Sequence, residues 1–393
     1  MTVRARVKPE MIRWVREDAD LSIEDAARKA QVRESAVRDW EAGTSQPTIR
    51  QLPLLGNAAG RPLAIFFLAE PPWNFTALSD FRSLPGTLAD DHSPALRLAV
   101  RRALERREVA LDLAAELNED IPELAISATL GEPVGDVARR VRAFLGVSES
   151  EQRHWHRPYD SLNGWQRAVE ARGVLVFQAS GIDIAEARGF SATEQPLPVI
   201  VLNVRDAPNG RVFALLHELC HVLLRNGGFC DLRDRAWDVP EQNPIEVFCN
   251  AVAGETLVPT DALASSRAVR AIPAGMNWSA SGIRALAQEF SVSRQVALRR
   301  LLDAGRITLD GYRSHIDAML KARHQRTDSR QTGFIPPATK VVSGLGRPFI
   351  RWVLSSYYQE RITLRDVAAH LGVRLKHMAK IEKTVMGRPV MFG

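Results

Sequence analysis

The chain has 393 residues, 45% hydrophobic and 25% charged, with a net charge of +6. These values suit a soluble globular protein of several domains and exclude a disordered or collagen-like chain. Three cysteines make no disulfide framework, no apolar run is long enough to span a bilayer, and Met1 to Lys8 has no apolar signal core, so a cytoplasmic protein without a membrane partner is expected.

From the N-terminus, Pro9 to Ala19 reads as a helix with Pro in its first turn and Ile12 and Val15 facing inward. Ser22 is a natural N-cap for a second helix whose first turn carries Glu24 and Asp25, where the helix dipole favours acids. A third helix from Glu34 to Glu41 stops near Gly43. This rhythm, with Trp40-Glu41-x-Gly43 and Gln46-Pro47-Thr48, resembles the lambda-repressor/Cro-like (XRE) helix-turn-helix family. The resemblance implies a third helix in the DNA major groove, with Arg33, Glu34, Ser35 and Arg38 aimed at bases or phosphates. Residues 1 to 50 hold ten Lys/Arg and nine Asp/Glu, so the electrostatic support for DNA binding is slight, and a protein-interaction or dimer module is the competing expectation.

Pro71-Pro72-Trp73 breaks the chain, and residues 94 to 147 read as helical throughout, a connector packed on the central domain. Val199 to Asn203 reads as a strand, either an edge strand that takes extended substrate by strand addition or an interior core strand.

Phe213 to Leu224 sets His217-Glu218-Leu219-Cys220-His221 in an apolar run of helical spacing. One turn apart on a helix, both imidazoles face one metal ion, and Glu218 lies beside the open position, where it can take a proton from water. Chance alone yields this pentad in roughly one chain in a hundred of such length, so a third ligand decides the matter. Glu246, early in a helix running from the turn at Asn243-Pro244 to a stop at Pro259, is the first choice; Glu241 and Glu255 are rivals, with Asp231, Asp234 and Asp238 between the helices. Cys220, Cys230 and Cys249 all fall near this segment, as small buried residues or as thiols that gate a metal by oxidation.

His217-Glu218-x-x-His221 with Glu246-x-x-x-Asn250 and Leu257-Val258-Pro259 resembles the ImmA/IrrE metallopeptidases, and the likeness reaches back through Gly173 to Phe177, Arg188-Gly189-Phe190 and Pro198 to Asn203. It implies His217, His221 and Glu246 as Zn²⁺ ligands and Glu218 as general base, although two His and a carboxylate also suit Mn²⁺ or Fe²⁺. Arg188 and Tyr159 are candidates for stabilising an oxyanion. The resemblance further implies a protein substrate, a repressor or antitoxin-like regulator of helix-turn-helix type, cleaved in a stress, mobile-element or defence response, with DNA and a second copy of the chain as other partners. The rival is a transcriptional regulator or antitoxin whose peptidase fold serves as sensor or interaction surface.

Ile283 to Leu302 repeats the helix-turn-helix rhythm, and Leu21 to Glu41 lies over Ile362 to Glu382 without gaps, pairing Ser22 with Thr363, Asp25 with Asp366 and Glu41 with Glu382. Residues 321 to 393 carry fourteen Lys/Arg against four Asp/Glu, a net of +10 that leaves −4 on the rest. The basic footprint therefore sits at the C-terminus. The expected architecture is multidomain and mainly α: an XRE-type domain (1–75), a helical connector (76–155), an α+β zincin-like peptidase with a small sheet (156–275), a helical region (276–325) and a basic helix-turn-helix-like unit (326–393), entered through a flexible linker at 326–339.

Overall fold

The computed structural model describes residues 4–19, 21–70, 92–225, 243–272, 278–325 and 336–387, in two compact units, Met1–Arg102 and Ala103–Gly393. The multidomain, mainly α class with one small sheet is what the chain adopts.

In the first unit, α1 (Pro9–Asp18), α2 (Ile23–Ala30), α3 (Glu34–Glu41) and α4 (Gln51–Ala59) enclose Met11, Ile12, Val15, Ala26, Val37, Trp40, Leu52 and Phe66. Local chemistry sets the bounds. Ser22 Oγ accepts the Asp25 N–H at 3.0 Å, satisfying a donor that the first turn leaves unpaired, and Gln31 ends α2 with φ 59°. Buried Glu41 receives Arg16 Nε at 2.5 Å and ties α1 to the end of α3.

The helix α5 (Pro94–Glu116) carries the chain into the second unit. The helical reading of 94 to 147 holds only at its ends. Between Glu116 and α6 (Val134–Leu145) the chain is irregular, because Pro122 and Pro133 deny helical hydrogen bonds and Gly131 takes φ 96°. α6 is part of the main core rather than a spacer, through Val137, Val141 and Leu145.

After α7 (Glu149–Arg153) and α8 (Pro158–Glu170) come β1 (Leu175–Ala179), β2 (Gly189–Ala192) and β3 (Val199–Asn203), in the order β1-β3-β2. β1 runs parallel to β3 with Leu175 opposite Val199, and β2 antiparallel with Ser191 opposite Ile200. The edge reading of Val199 to Asn203 is thereby corrected: β3 is the central strand. Its residues are buried on both faces, the pattern of an interior strand rather than the alternation of a half-solvated edge.

Next come α9 (Pro208–Leu223), α10 (Pro244–Leu257), α11 (Thr260–Ser265), α12 (Arg267–Arg270), α13 (Ala280–Glu289), α14 (Arg294–Asp303) and α15 (Leu309–Gln325). One hydrophobic core runs from Ala128 to Ile316, so α13 and α14 share the core of the sheet and α9. α9 opens at Pro208, and Gly210 has no Cβ because one would lie 2.5 Å from the buried Asp206 carboxylate at the start of the helix.

The C-terminal helices are α16 (Pro337–Leu345), α17 (Arg347–Tyr358), α18 (Leu364–Leu371) and α19 (Met378–Met386). The linker expected at 326–339 gives way to α16 by Pro337, proline being pre-set for a helix's first turn; residues 326–335 lie outside the described residues. Leu175 N–H donates to Pro198 O and Val204 N–H to Ala179 O, so the odd-numbered residues of β1 face β3 and the carbonyls of Val176 and Gln178 face outward. Gly346 and Gly344 approach those two carbonyls, so α16 closes the outer edge of β1.

Gly346 also abuts Glu170, a buried carboxyl that receives Gln166 Nε2 at 2.8 Å and the Arg347 N–H, and that burial pushes up to about 7. A carboxyl whose folded pKa exceeds its unfolded value stabilises the fold while protonated and loses that contribution as pH rises from about 4.5 through 7. Glu170→Gln is therefore expected to stabilise the protein by about 1–3 kcal/mol at pH 8 and by little at pH 5, measured by denaturant titration at the two pH values.

Candidate metal and peptidase site

α9 is buried on all sides, against α8, α10 and the sheet. Its apolar residues Val212, Leu215, Leu216, Leu219 and Leu223 hold it there, each stabilising by roughly 1.5–3 kcal/mol. This packing fixes the rotation of the helix, and with it the direction in which His217 and His221 point. The Phe213 ring lies against His217, with centroids 6.1 Å apart.

Asn243 caps α10 by accepting the Ile245 N–H, Pro244 occupies the first turn, and Glu246 follows within that turn. The result is a convergence of three donors. His221 Nε2 is 3.1 Å from His217 Nε2, His217 Nε2 is 3.3 Å from Glu246 Oε2, and His221 Nε2 is 3.4 Å from Glu246 Oε1. Ligands about 2.05 Å from a tetrahedral ion lie about 3.3 Å apart, so the spacing fits one bound divalent cation. Among the described residues these are the only three side chains so grouped.

Glu218 is fully buried beside them. Burial raises its proton affinity, opposed by the charges of His221 and His217 and by Ser191 Oγ, which donates to Glu218 Oε2 at 2.8 Å. Burial also acts to lower the pKa of His221, but the hydrogen bond and charge of Glu246, with the charge of Glu218, leave it raised. Glu246 is itself held low: burial acts upward, but the hydrogen bonds from both histidines outweigh it. Such opposed shifts within a few ångströms are what acid–base chemistry needs.

Ser191 had no signal in the sequence. Its place beside Glu218 arises from the pairing of β2 with β3 over α9, where a Cβ on Gly189 would also lie 3.5 Å from the Glu218 side chain. Among the rival third ligands, Glu255 is engaged by Arg300 and by the Thr260 N–H and hydroxyl. Glu241, Asp231, Asp234, Asp238 and Cys230 lie outside the described residues. Arg188 pairs with Asp206 at 3.1 Å, and Tyr159 is exposed beneath the Arg211 guanidinium. Cys220 and Cys249 are buried in the hydrophobic core.

In the first unit, Arg33, Glu34, Ser35 and Arg38 are all exposed on or beside α3, where Arg38 forms an ion pair with Glu34 at 2.9 Å.

Residues 169–302 match the family model of the IrrE N-terminal-like domain, a peptidase family, and residues 12–66 match that of the helix-turn-helix. The chain fuses an IrrE N-terminal-like domain to a helix-turn-helix domain. The IrrE N-terminal-like match contains His217, Glu218, His221 and Glu246 and extends through α14. No curated protein matches the chain. The peptidase family suggests a protein substrate and the helix-turn-helix suggests DNA. No described helix is long and apolar enough to cross a membrane.

Proposed function

We propose that the chain is a cytoplasmic zinc-dependent endopeptidase that cleaves a regulator of helix-turn-helix type, a repressor or antitoxin-like protein, in a stress, mobile-element or defence response. The observation that carries this reading is the 3.1–3.4 Å spacing of His217, His221 and Glu246 with a buried carboxylate alongside. A divalent ion held by those three would supply Lewis acidity toward a carbonyl oxygen and lower the pKa of a neighbouring water.

The chain's own residues do the rest. Glu218, whose proton affinity burial raises, accepts the proton of the attacking water and returns it to the amine that leaves. Ser191 holds the carboxylate in place through Oε2, and Oε1 has no hydrogen-bond partner among the described residues. The outer edge of β2 has no strand partner among the described residues, and an extended peptide added there would run past Glu218. The helix-turn-helix domain would bring the peptidase to an operator, or to a repressor of similar fold by heterodimerisation.

The test is incubation of the purified chain with a helix-turn-helix repressor encoded beside it, with Zn²⁺ and with a chelator, and then mass spectrometry of the products. Discrete fragments with Zn²⁺ and none with chelator are expected. Equal cleavage in both would refute a metal-dependent peptidase.

A further inference from the structure

Leu21–Glu41 and Ile362–Glu382 fold alike. Thr363 Oγ1 accepts the Asp366 N–H at 3.3 Å, as Ser22 accepts that of Asp25, and Gly372 ends α18 with φ 62° where Gln31 ends α2 with φ 59°. Burial agrees at all but three of the 21 aligned positions, the exceptions being Ala27/Ala368, Lys29/His370 and Arg38/Ala379. The core pairs are Ala26/Val367, Ala30/Leu371, Val37/Met378 and Trp40/Ile381. The same offset pairs the buried residues of the preceding helices, Met11 with Trp352, Ile12 with Val353 and Val15 with Ser356. Even the buried acid recurs: Glu41 is held by Arg16, and Glu382 by the Tyr358 hydroxyl.

The two copies differ on the exposed face that a helix-turn-helix presents to DNA. In the first, Arg33 and Arg38 are offset by Glu34 and Asp39, and Arg38 is already paired with Glu34. In the second, Arg374 stays, Glu34 becomes Leu375, Ser35 becomes Lys376, Asp39 becomes Lys380 and Ala42 becomes Lys383. All five side chains are exposed, and among the described residues none of the four cations forms an ion pair. Leu375, half exposed, takes a position from which an apolar side chain can meet a thymine methyl group.

We propose that the C-terminal unit, residues 337–387, is a second helix-turn-helix and the principal double-stranded DNA-binding site of the chain. Arg374, Lys376, Lys380 and Lys383 lie along phosphates as α19 enters the major groove. DNA is favoured over an acidic protein because Lys380 and Lys383 sit on α19, the second helix of a helix-turn-helix, and Arg374 and Lys376 at the 3-10 turn Leu375–His377 that leads into it, where backbone contacts set register and side chains reach base edges. The first copy, neutral on the same face, supplies little of the electrostatic attraction. This holds whether or not a peptide is cleaved elsewhere in the chain.

The experiment is fluorescence anisotropy of the full chain with a labelled 30-base-pair duplex of mixed sequence over a range of KCl concentrations. The triple variant Lys376→Ala/Lys380→Ala/Lys383→Ala is expected to bind roughly 10²-fold more weakly near 0.1 M salt, with the slope of log K against log salt reduced by about 2.7. Arg33→Ala/Arg38→Ala is expected to change affinity by less than roughly fivefold. Circular dichroism melts matching the wild type establish that both variants fold; should the triple variant unfold, Lys376→Gln and Lys380→Gln taken singly each reduce the slope by about 0.9. Three results overturn the proposal: an unchanged slope in folded lysine variants, a loss through Arg33 and Arg38 as large as through the lysines, or poly-glutamate competing with the duplex as well as unlabelled DNA does.

Discussion

Glu218→Gln protein is expected to keep its metal and lose roughly 10²–10⁴-fold in the rate of peptide hydrolysis, the usual contribution of a positioned acid–base group. Gln has the shape of Glu, so the Ser191 hydroxyl that now donates to Oε2 at 2.8 Å can donate to the amide oxygen, and the packing of α9 need not change. What disappears is a proton acceptor in a fully buried position, where no solvent group can stand in for it. Two measurements check this, initial cleavage rates of a labelled substrate and metal content by plasma mass spectrometry. A rate near that of the wild type would remove Glu218 from the chemistry. Repression in cells unchanged by the substitution would favour the regulator over the enzyme.

His221→Ala should abolish metal binding and cost stability as well. A ligand that binds only the folded state stabilises it by about 4 kcal/mol at a thousandfold excess over its dissociation constant, and the variant forfeits that gain. It also leaves Glu246 near a single imidazole in a partly buried place, having lost one of its two compensating hydrogen bonds to a substitution that opens a small cavity. For a unit of this size the combined loss is expected to lower the melting temperature by roughly 10 °C. Thermal melts with and without chelator decide the question. The wild type should lose stability on chelation and the variant should not respond, whereas a wild type indifferent to chelator would show that the three donors hold no ion.

The histidines were legible in the sequence because i, i+4 spacing on a helix is itself a statement about geometry, and Glu246 because Asn243 and Pro244 announce where its helix begins. The caps at Ser22 and Thr363 marked the starts of α2 and α18 for the same local reason. Features made by distant pairing were hidden. Nothing near Ser191 tells that β2 folds back over α9, and nothing near Glu170 tells that Gly346 will close over it. The order of the sheet could have been inferred, since Val199 to Leu202 is apolar without alternation and Gly189 to Ala192 is short and small. The break after Glu116 was also signalled, by Pro122, Gly131 and Pro133, and a helical period read across them concealed it.

The two edges of the sheet have unequal fates. β1 is closed by α16, and β2 is the edge without a strand partner among the described residues. Any chain that joins this sheet must therefore arrive beside Glu218, and it must arrive extended. A regulator made of packed helices offers few such stretches, so under the proposed activity the scissile bond would fall in an interdomain linker, or in a helix that has first melted. The folding stability of the target would then govern how fast it is destroyed, and anything that loosens it, heat or release from its operator, would act as the trigger without touching the peptidase.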